Sequence, residues 1–152
     1  MRTSTTWAVL AAAMIGAGLS APTAPARADE PGVTLSAPWM RLLIRARPAA
    51  GYFTLHNNTA TARELTGASS PACGDLMLHQ SMNMGGQDKM VMVSKVTVPA
   101  HGSISFSPGG YHLMCMQPAA TMKVGGTVPV TLRFADGGTL QADFPVKGAH
   151  GQ

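Results

Sequence analysis

Short runs of alternating apolar and polar residues fill most of the chain, and no long stretch shows the period of an amphipathic helix. Glycine, proline, asparagine and aspartate separate these runs at intervals of roughly 8 to 12 residues, which is typical of β-strands joined by turns. The pattern predicts strands over Trp39 to Ile44, Ala50 to His56, Arg63 to Ala68, Asp75 to Ser81, Lys89 to Val98, Ser103 to Ser107, Tyr111 to Gln117, Val128 to Phe134 and Thr139 to Val146.

This succession of short strands predicts an all-β fold, a Greek-key β-sandwich or barrel. The last two strands form the clearest hairpin, because the turn residues Asp136-Gly137-Gly138 lie between them. Alternation in the first strand of this hairpin is expected to point Val128, Val130, Leu132 and Phe134 inward and Thr127, Thr131 and Arg133 outward. Such a pattern indicates core packing and no chemistry.

Residues 1–28 have the three parts of a secretory signal. Arg2 supplies the positive start, Trp7 to Leu19 the apolar stretch and Ala26-Arg27-Ala28 an A-x-A cleavage site. The apolar stretch is shorter than the roughly 20 residues that span a bilayer. The sequence therefore predicts cleavage after Ala28 and export to the periplasm without membrane insertion, followed by one domain over residues 29–146 and a flexible tail over residues 147–152.

The charge balance argues against several classes of partner. The chain has 11 Lys and Arg residues, of which Arg2 and Arg27 leave with the predicted signal, so that nine remain against seven Asp and Glu residues. Such a weak excess, with no basic run, does not indicate binding to nucleic acid or to an anionic membrane. We expect a monomer whose partner is small or a protein.

Methionine is the unusual component: the chain has 11, most of them between Met77 and Met122. Alternate residues of a strand share a face, so several methionines are expected to lie beside histidines. Three predicted strands each contribute such a group: Met77 with His79, Met90 with Met92, and His112 with Met114 and Met116, while Leu113 and Cys115 face the other way.

Imidazole and thioether groups together favour copper in the reduced state. Soft thioethers select Cu(I), whereas zinc prefers thiolate, imidazole and carboxylate, and calcium and magnesium require oxygen ligands. The alternative is that methionine fills space in the core, which is its commoner role. Packing is expected for Met40, Met77, Met92 and Met122, and the ordinary role of a surface or hydrogen-bonded core residue for His56, His101 and His150. Met82, Met84 and Met116 are expected either at the rim of the site or in a mobile lip.

The spacing of four of these residues resembles the signature of the periplasmic copper chaperone family called PCuAC. His79 is followed after ten residues by Met90 and after a further twenty-one by His112-x-Met114. Three other segments are similar to segments of that family: Tyr52-Phe53-Thr54-Leu55-His56-Asn57, Gly67-Ala68-Ser69-Ser70-Pro71 and Pro108-Gly109-Gly110-Tyr111-His112-Leu113-Met114.

This resemblance implies a cupredoxin-like β-sandwich that is not an enzyme. It implies one Cu(I) per chain, bound by His79, Met90, His112 and Met114 and delivered to a recipient protein. By the same resemblance the recipient is an oxidase subunit or an assembly factor, and the delivered copper serves the CuA centre of a respiratory oxidase.

The cysteines Cys73 and Cys115 depart from the family pattern, in which these places are usually apolar or small. Export to an oxidising compartment allows a disulfide that ties two ligand-bearing strands together, and two buried free thiols are the alternative. A cupredoxin-like electron-transfer protein is the competing function, and its blue-copper site needs a cysteine thiolate. Strand alternation turns Cys115 away from His112 and Met114, which counts against that function.

Overall fold

The computed structural model describes residues 31–149 and residue 151. The predicted signal segment and His150 therefore lie outside the described residues. The described part of the chain contains no helix long and apolar enough to cross a membrane. Its regular structure consists of strands β1 (Val33–Arg41), β2 (Ala49–Asn57), β3 (Arg63–Ser69), β4 (Cys73–Met84), β5 (Gln87–Met92), β6 (Val96–Val98), β7 (Ser103–Phe106), β8 (Tyr111–Pro118), β9 (Thr127–Phe134) and β10 (Thr139–Lys147).

The strands are hydrogen-bonded in the order β5-β4-β8-β7-β2-β1-β10-β9-β3-β6, and β8 also pairs with β2. A short parallel pairing of β1 with β10, at Met40 and Val146, joins the first half of this series to the second. Phe53 of β2 packs edge-on against Phe144 of β10, with ring centroids 5.7 Å apart. The two halves therefore face each other across one core, and the predicted all-β fold is confirmed.

The core consists of apolar side chains that alternate with outward-facing residues along each strand. In β9, Val128, Val130, Leu132 and Phe134 are buried, as the alternation predicted. Phe53 also stacks on Phe106 of β7, with ring centroids 4.3 Å apart. Burial of side chains of this size contributes about 1.5 to 3 kcal/mol each, so these residues anchor the two sheets to each other.

Strand β1 differs from its prediction, because it begins at Val33 and ends at Arg41. Its pairing with β2 is interrupted between Ser36 and Trp39, where Ala37 has a positive φ of 49°. Such a bulge adds a residue to one strand and reverses which residues point inward. Met40 is consequently buried in the core, and Trp39 and Arg41 lie on the outer face.

The segment over residues 89–98 was predicted as one strand, and that prediction is wrong. Strand β5 pairs with β4, and the chain then leaves this sheet after Met92. Strand β6 pairs with β3 in the opposite sheet. Alternating apolar residues continue through both strands, so the pattern alone does not reveal that the chain crosses from one sheet to the other.

Candidate metal centre

Two neighbouring strands bring the predicted histidines together on the outer face of the first sheet. Strands β4 and β8 are antiparallel, with His79 opposite His112 and Met77 opposite Met114. Directly opposed residues of an antiparallel pair point to the same face. The adjacent residues Leu78 and Leu113 are also opposed and are buried in the core.

The imidazole of His112 is held in one tautomer by the backbone. Its Nδ1 lies 3.1 Å from the carbonyl oxygen of Gly110, which only accepts hydrogen bonds, so Nδ1 carries the proton and donates it. The lone pair of the neutral ring is then on Nε2. This atom is buried and has no hydrogen-bond partner among residues 31–149 and 151, in a side chain that is only 4% exposed.

The imidazole of His79 lies against that of His112, with ring centroids 5.8 Å apart and ring planes at 66°. Its Nδ1 is also buried, again with no hydrogen-bond partner in the described part of the chain. Burial, and secondarily the repulsion from a charged His112, lower the pKa of His79. An unsatisfied buried polar group costs about 1 to 3 kcal/mol, so two of them side by side indicate a site for a ligand.

The lowered pKa of His79 gives a prediction for the metal-free protein. An NMR titration of the His79 ring is expected to have its midpoint below the usual 6.5, because burial disfavours the imidazolium. In a His112→Asn variant the midpoint should rise, since the repulsion is removed, but should stay below 6.5 because burial is the larger cause. A midpoint at or above 6.5 in the parent would contradict the partly buried position of this ring.

Two thioethers lie beside the histidines on the same outer face. Met114 of β8 is half-buried opposite Ala50 of β2, and Met90 of β5 is 63% exposed opposite Ser81 of β4. A cleft of about 500 Å³ has Met90, His112 and Met114 among its lining residues. The structure thus brings three of the four predicted ligands to one cleft, and His79 adjoins it through its contact with His112.

The remaining methionines follow their predictions only in part. Met40 and Met122 are fully buried, as expected for packing, whereas Met92 is 70% exposed and lies directly opposite His79. The packing interpretation of Met92 is therefore wrong. The position of this side chain depends on the register of β4 with β5, which the sequence alone does not reveal. Met77 and Met92 instead line a second cleft of about 420 Å³.

The three methionines whose role the sequence left open lie at the border of this face. Met82 and Met84 are exposed on the hairpin of β4 and β5, and Met82 lines the larger cleft. Met116 is half-buried on β8, opposite Asp75. A position at the edge of the larger cleft is therefore found for Met82, whereas Met84 does not line that cleft.

The other described histidines lie away from the cleft. The Nε2 of His56 is 2.8 Å from the hydroxyl oxygen of Ser36, and His101 is exposed in a turn. Both have the ordinary roles that the sequence predicted.

A disulfide joins Cys73 to Cys115, which decides between the two alternatives for these cysteines. Cys115 is fully buried on the core side of β8, facing away from His112 and Met114. The bridge connects β4 to β8 behind the candidate site. Neither cysteine is therefore available as a thiolate ligand.

The described part of the chain contains no cluster of side chains that matches a zinc site or a site built from oxygen ligands. Among residues 31–149 and 151, no group of three or more His, Cys, Asp or Glu side chains is placed to hold a metal ion. The imidazoles of His79 and His112 and the thioethers near them are donors of the kind that suits Cu(I), whereas zinc usually takes thiolate, imidazole and carboxylate ligands.

Comparison with known proteins gives the family of this chain. Residues 33–146 match the LpqE-like family model, which is described as "Putative lipoprotein LpqE-like". The chain belongs to this family. It is also 32% identical over 148 residues to the "Putative lipoprotein Lxx21020" of Leifsonia xyli subsp. xyli, a match that covers 93% of this chain and 89% of that protein.

Solved structures confirm the fold and the resemblance to PCuAC domains. The copper-bound PCuAC domain of PmoF2 matches 77% of this LpqE-like chain and 93% of its own, with a TM-score of 0.63 at 19% identity, which establishes a shared fold. The solution structure of Cu(I)-bound DR1885 from Deinococcus radiodurans is 35% identical, covers 76% of this chain and 75% of its own, and has a TM-score of 0.57.

Proposed function

We propose that this protein is an exported copper chaperone that binds one Cu(I) per chain through His79, Met90, His112 and Met114 and passes it to a recipient protein. The observation that carries the proposal is the facing pair of imidazoles, each with a buried nitrogen that has no hydrogen-bond partner in the described part of the chain, beside two thioethers. Met90 is the most exposed of these donors and lies on the outer face of the sheet, where a second protein can reach it.

The donor set suits a carrier better than a permanent holder of copper. All four donors are neutral, so the site lacks the strong attraction that an anionic thiolate has for Cu(I). His112 is fixed by its hydrogen bond to Gly110, whereas Met90 is 63% exposed on the edge strand β5. We expect Met90 to be the first ligand to leave, because its side chain is the least constrained of the four.

The ligand set includes Met90 and not Met92, although both side chains are exposed. Met92 lies opposite His79, but it lines the smaller cleft together with Met77. Met90 lines the larger cleft together with His112 and Met114. A metal ion held by His112 and Met114 is therefore within the cleft that Met90 borders.

The similar proteins support copper as the cargo. The PmoF2 domain was solved with copper bound, and DR1885 was solved in its Cu(I) form. The signal-like segment over residues 1–28 and the lipoprotein descriptions of the relatives support export, with the periplasm as the proposed location. For the recipient we propose an oxidase subunit or an assembly factor of the CuA centre.

Electron transfer is disfavoured as the alternative function. A blue-copper site requires a cysteine thiolate, two imidazoles and a weak axial ligand. Both cysteines of the chain form the disulfide, and Cys115 faces the core. We therefore expect the copper-loaded protein to lack the intense blue absorption of such a site.

X-ray absorption of the copper-loaded protein tests the proposed ligand set. One equivalent of Cu(I) per chain is expected to show nitrogen and thioether sulfur neighbours, because imidazole and thioether are the donors that converge. The Met122→Leu variant is the control, since Met122 is buried in the core and should leave the spectrum unchanged. A first shell of oxygen and nitrogen alone would rule out the two methionine ligands.

A further inference from the structure

The cleft beside the candidate copper ligands has positively charged lining residues that copper binding does not use. Arg41 of β1, Arg47 of the following loop and Lys89 of β5 all line it. Asp88 is the single carboxylate residue among its described lining residues, and its Oδ1 accepts a hydrogen bond of 2.9 Å from the Asn83 side chain. Three cations against one carboxylate leave the lining with a formal charge of +2.

The position of one of these cations, the guanidinium of Arg41, is restricted by a neighbouring ring. The guanidinium of Arg41 lies 5.3 Å from the ring centroid of Tyr52, whose side chain is buried. A cation–π contact of this kind restricts the guanidinium beside the cleft. Arg47 and Lys89 are exposed and are placed on the two opposite flanks of the cleft, one on the loop after β1 and the other on β5.

The cleft also has exposed apolar groups next to its cations. Leu43 is about half exposed and Met82 more than one-third exposed, and both line the cleft with Met90. An apolar centre with a charged rim is the usual composition of a protein-binding surface. The volume of about 500 Å³ is in the range of roughly 300 to 1,000 Å³ that accommodates a drug-sized ligand, so a short peptide segment fits better than a folded surface.

We propose that this cleft binds an acidic, extended segment of the copper recipient, an inference that rests on the proposed chaperone function and names the kind of partner it serves. Carboxylates of the segment pair with Arg47 and Lys89, and its own soft donor enters beside Met90. The donor binds Cu(I) before Met90 leaves, so the metal exchanges ligands without any change in its oxidation state. Charge complementarity then selects the recipient and speeds the encounter.

Two synthetic peptides test this proposal. Both contain the same histidine and methionine residues, and one is flanked by aspartates whereas the other is flanked by lysines. At low salt the Cu(I)-loaded protein is expected to bind the acidic peptide about tenfold or more tightly than the basic one, and added salt should reduce the difference. The metal-free protein should show the same preference, because the cations do not depend on copper.

The matched variants change the charge by the same amount in two places. The Arg47→Gln/Lys89→Gln protein should lose most of the preference while keeping its Cu(I) affinity, since both side chains are exposed and neither is a proposed ligand. The Lys123→Gln/Arg133→Gln protein should keep the preference, because neither side chain lines the cleft. Failure of Cu(I) binding in the parent would overturn the chaperone function. The peptide preference of the metal-free protein does not depend on copper, so it tests the acidic partner separately.

Three results would overturn the proposed acidic partner. One is equal binding of the two peptides at low salt, and another is a preference that survives Arg47→Gln/Lys89→Gln unchanged. The third has two parts: the protein shows no preference between the peptides, and it binds vesicles of anionic phospholipid instead. In this case the vesicle binding is lost in the Leu43→Ser/Ile44→Ser variant. This last result would assign the exposed loop after β1 to a membrane surface.

Discussion

A Met114→Leu variant is expected to bind Cu(I) about 100-fold or more weakly than the parent while retaining its fold. The swap nearly conserves volume, and such changes usually cost less than about 1.5 kcal/mol of stability. Loss of a residue that hydrogen-bonds to a metal ligand typically lowers the metal affinity about 10- to 100-fold. Loss of a ligand itself should lower it at least as much. Competition with a chromophoric Cu(I) chelator measures the affinity, and circular dichroism measures the fold.

A series of leucine variants separates the methionine ligands from the other methionines. Met90→Leu should also weaken binding, whereas Met122→Leu in the core and Met92→Leu beside the smaller cleft should not. Equal losses in Met90→Leu and Met92→Leu would show that the hairpin offers both thioethers. If both Met90→Leu and Met114→Leu bind Cu(I) with the affinity of the parent, these side chains only cover the surface and the proposed ligand set is wrong.

The sequence predicted most strands because their alternation is local. Alternate apolar residues between turn signals, as in β9, depend on one face being buried, and the boundaries of β9 agree to within a residue. Strand β4 is longer than predicted, because it begins at Cys73 and ends at Met84. Strand β1 was harder, since the bulge at Ala37 and the following Pro38 reverse the alternation within the strand. Strands β5 and β6 were predicted as one because a change of sheet leaves the apolar pattern intact.

The convergence of the candidate ligands could be anticipated for similar reasons. Alternation places His112 and Met114 on one face of β8, and the position of His79 on β4 follows from the same period. The exposure of Met92, however, depends on the register between β4 and β5, which pairs it with His79. The cationic residues that line the cleft were not predicted either, because Arg41, Arg47 and Lys89 come from three separate elements.

Removing the disulfide is expected to have the largest effect on stability. The bridge links positions 42 residues apart, and a loop of that length corresponds to about 4 kcal/mol of unfolding free energy in the chain-entropy treatment. A Cys73→Ala/Cys115→Ala variant should therefore unfold at a clearly lower urea concentration than the parent. Alanine avoids placing an unsatisfied hydroxyl at the fully buried position of Cys115. Chemical reduction of the parent provides the control that leaves both side chains in place.

The same variant determines whether the disulfide also shapes the copper site. Strands β4 and β8 remain paired from Cys73 and Pro118 to Gln80 and Tyr111, so the folded variant should keep His79 opposite His112. Bound Cu(I) stabilises a folded protein according to its affinity and concentration. A saturating amount is therefore expected to raise the unfolding free energy of variant and parent equally. A smaller increase in the variant would show that the bridge holds the ligands in position, and an unchanged urea midpoint without copper would contradict a stabilising role for the disulfide.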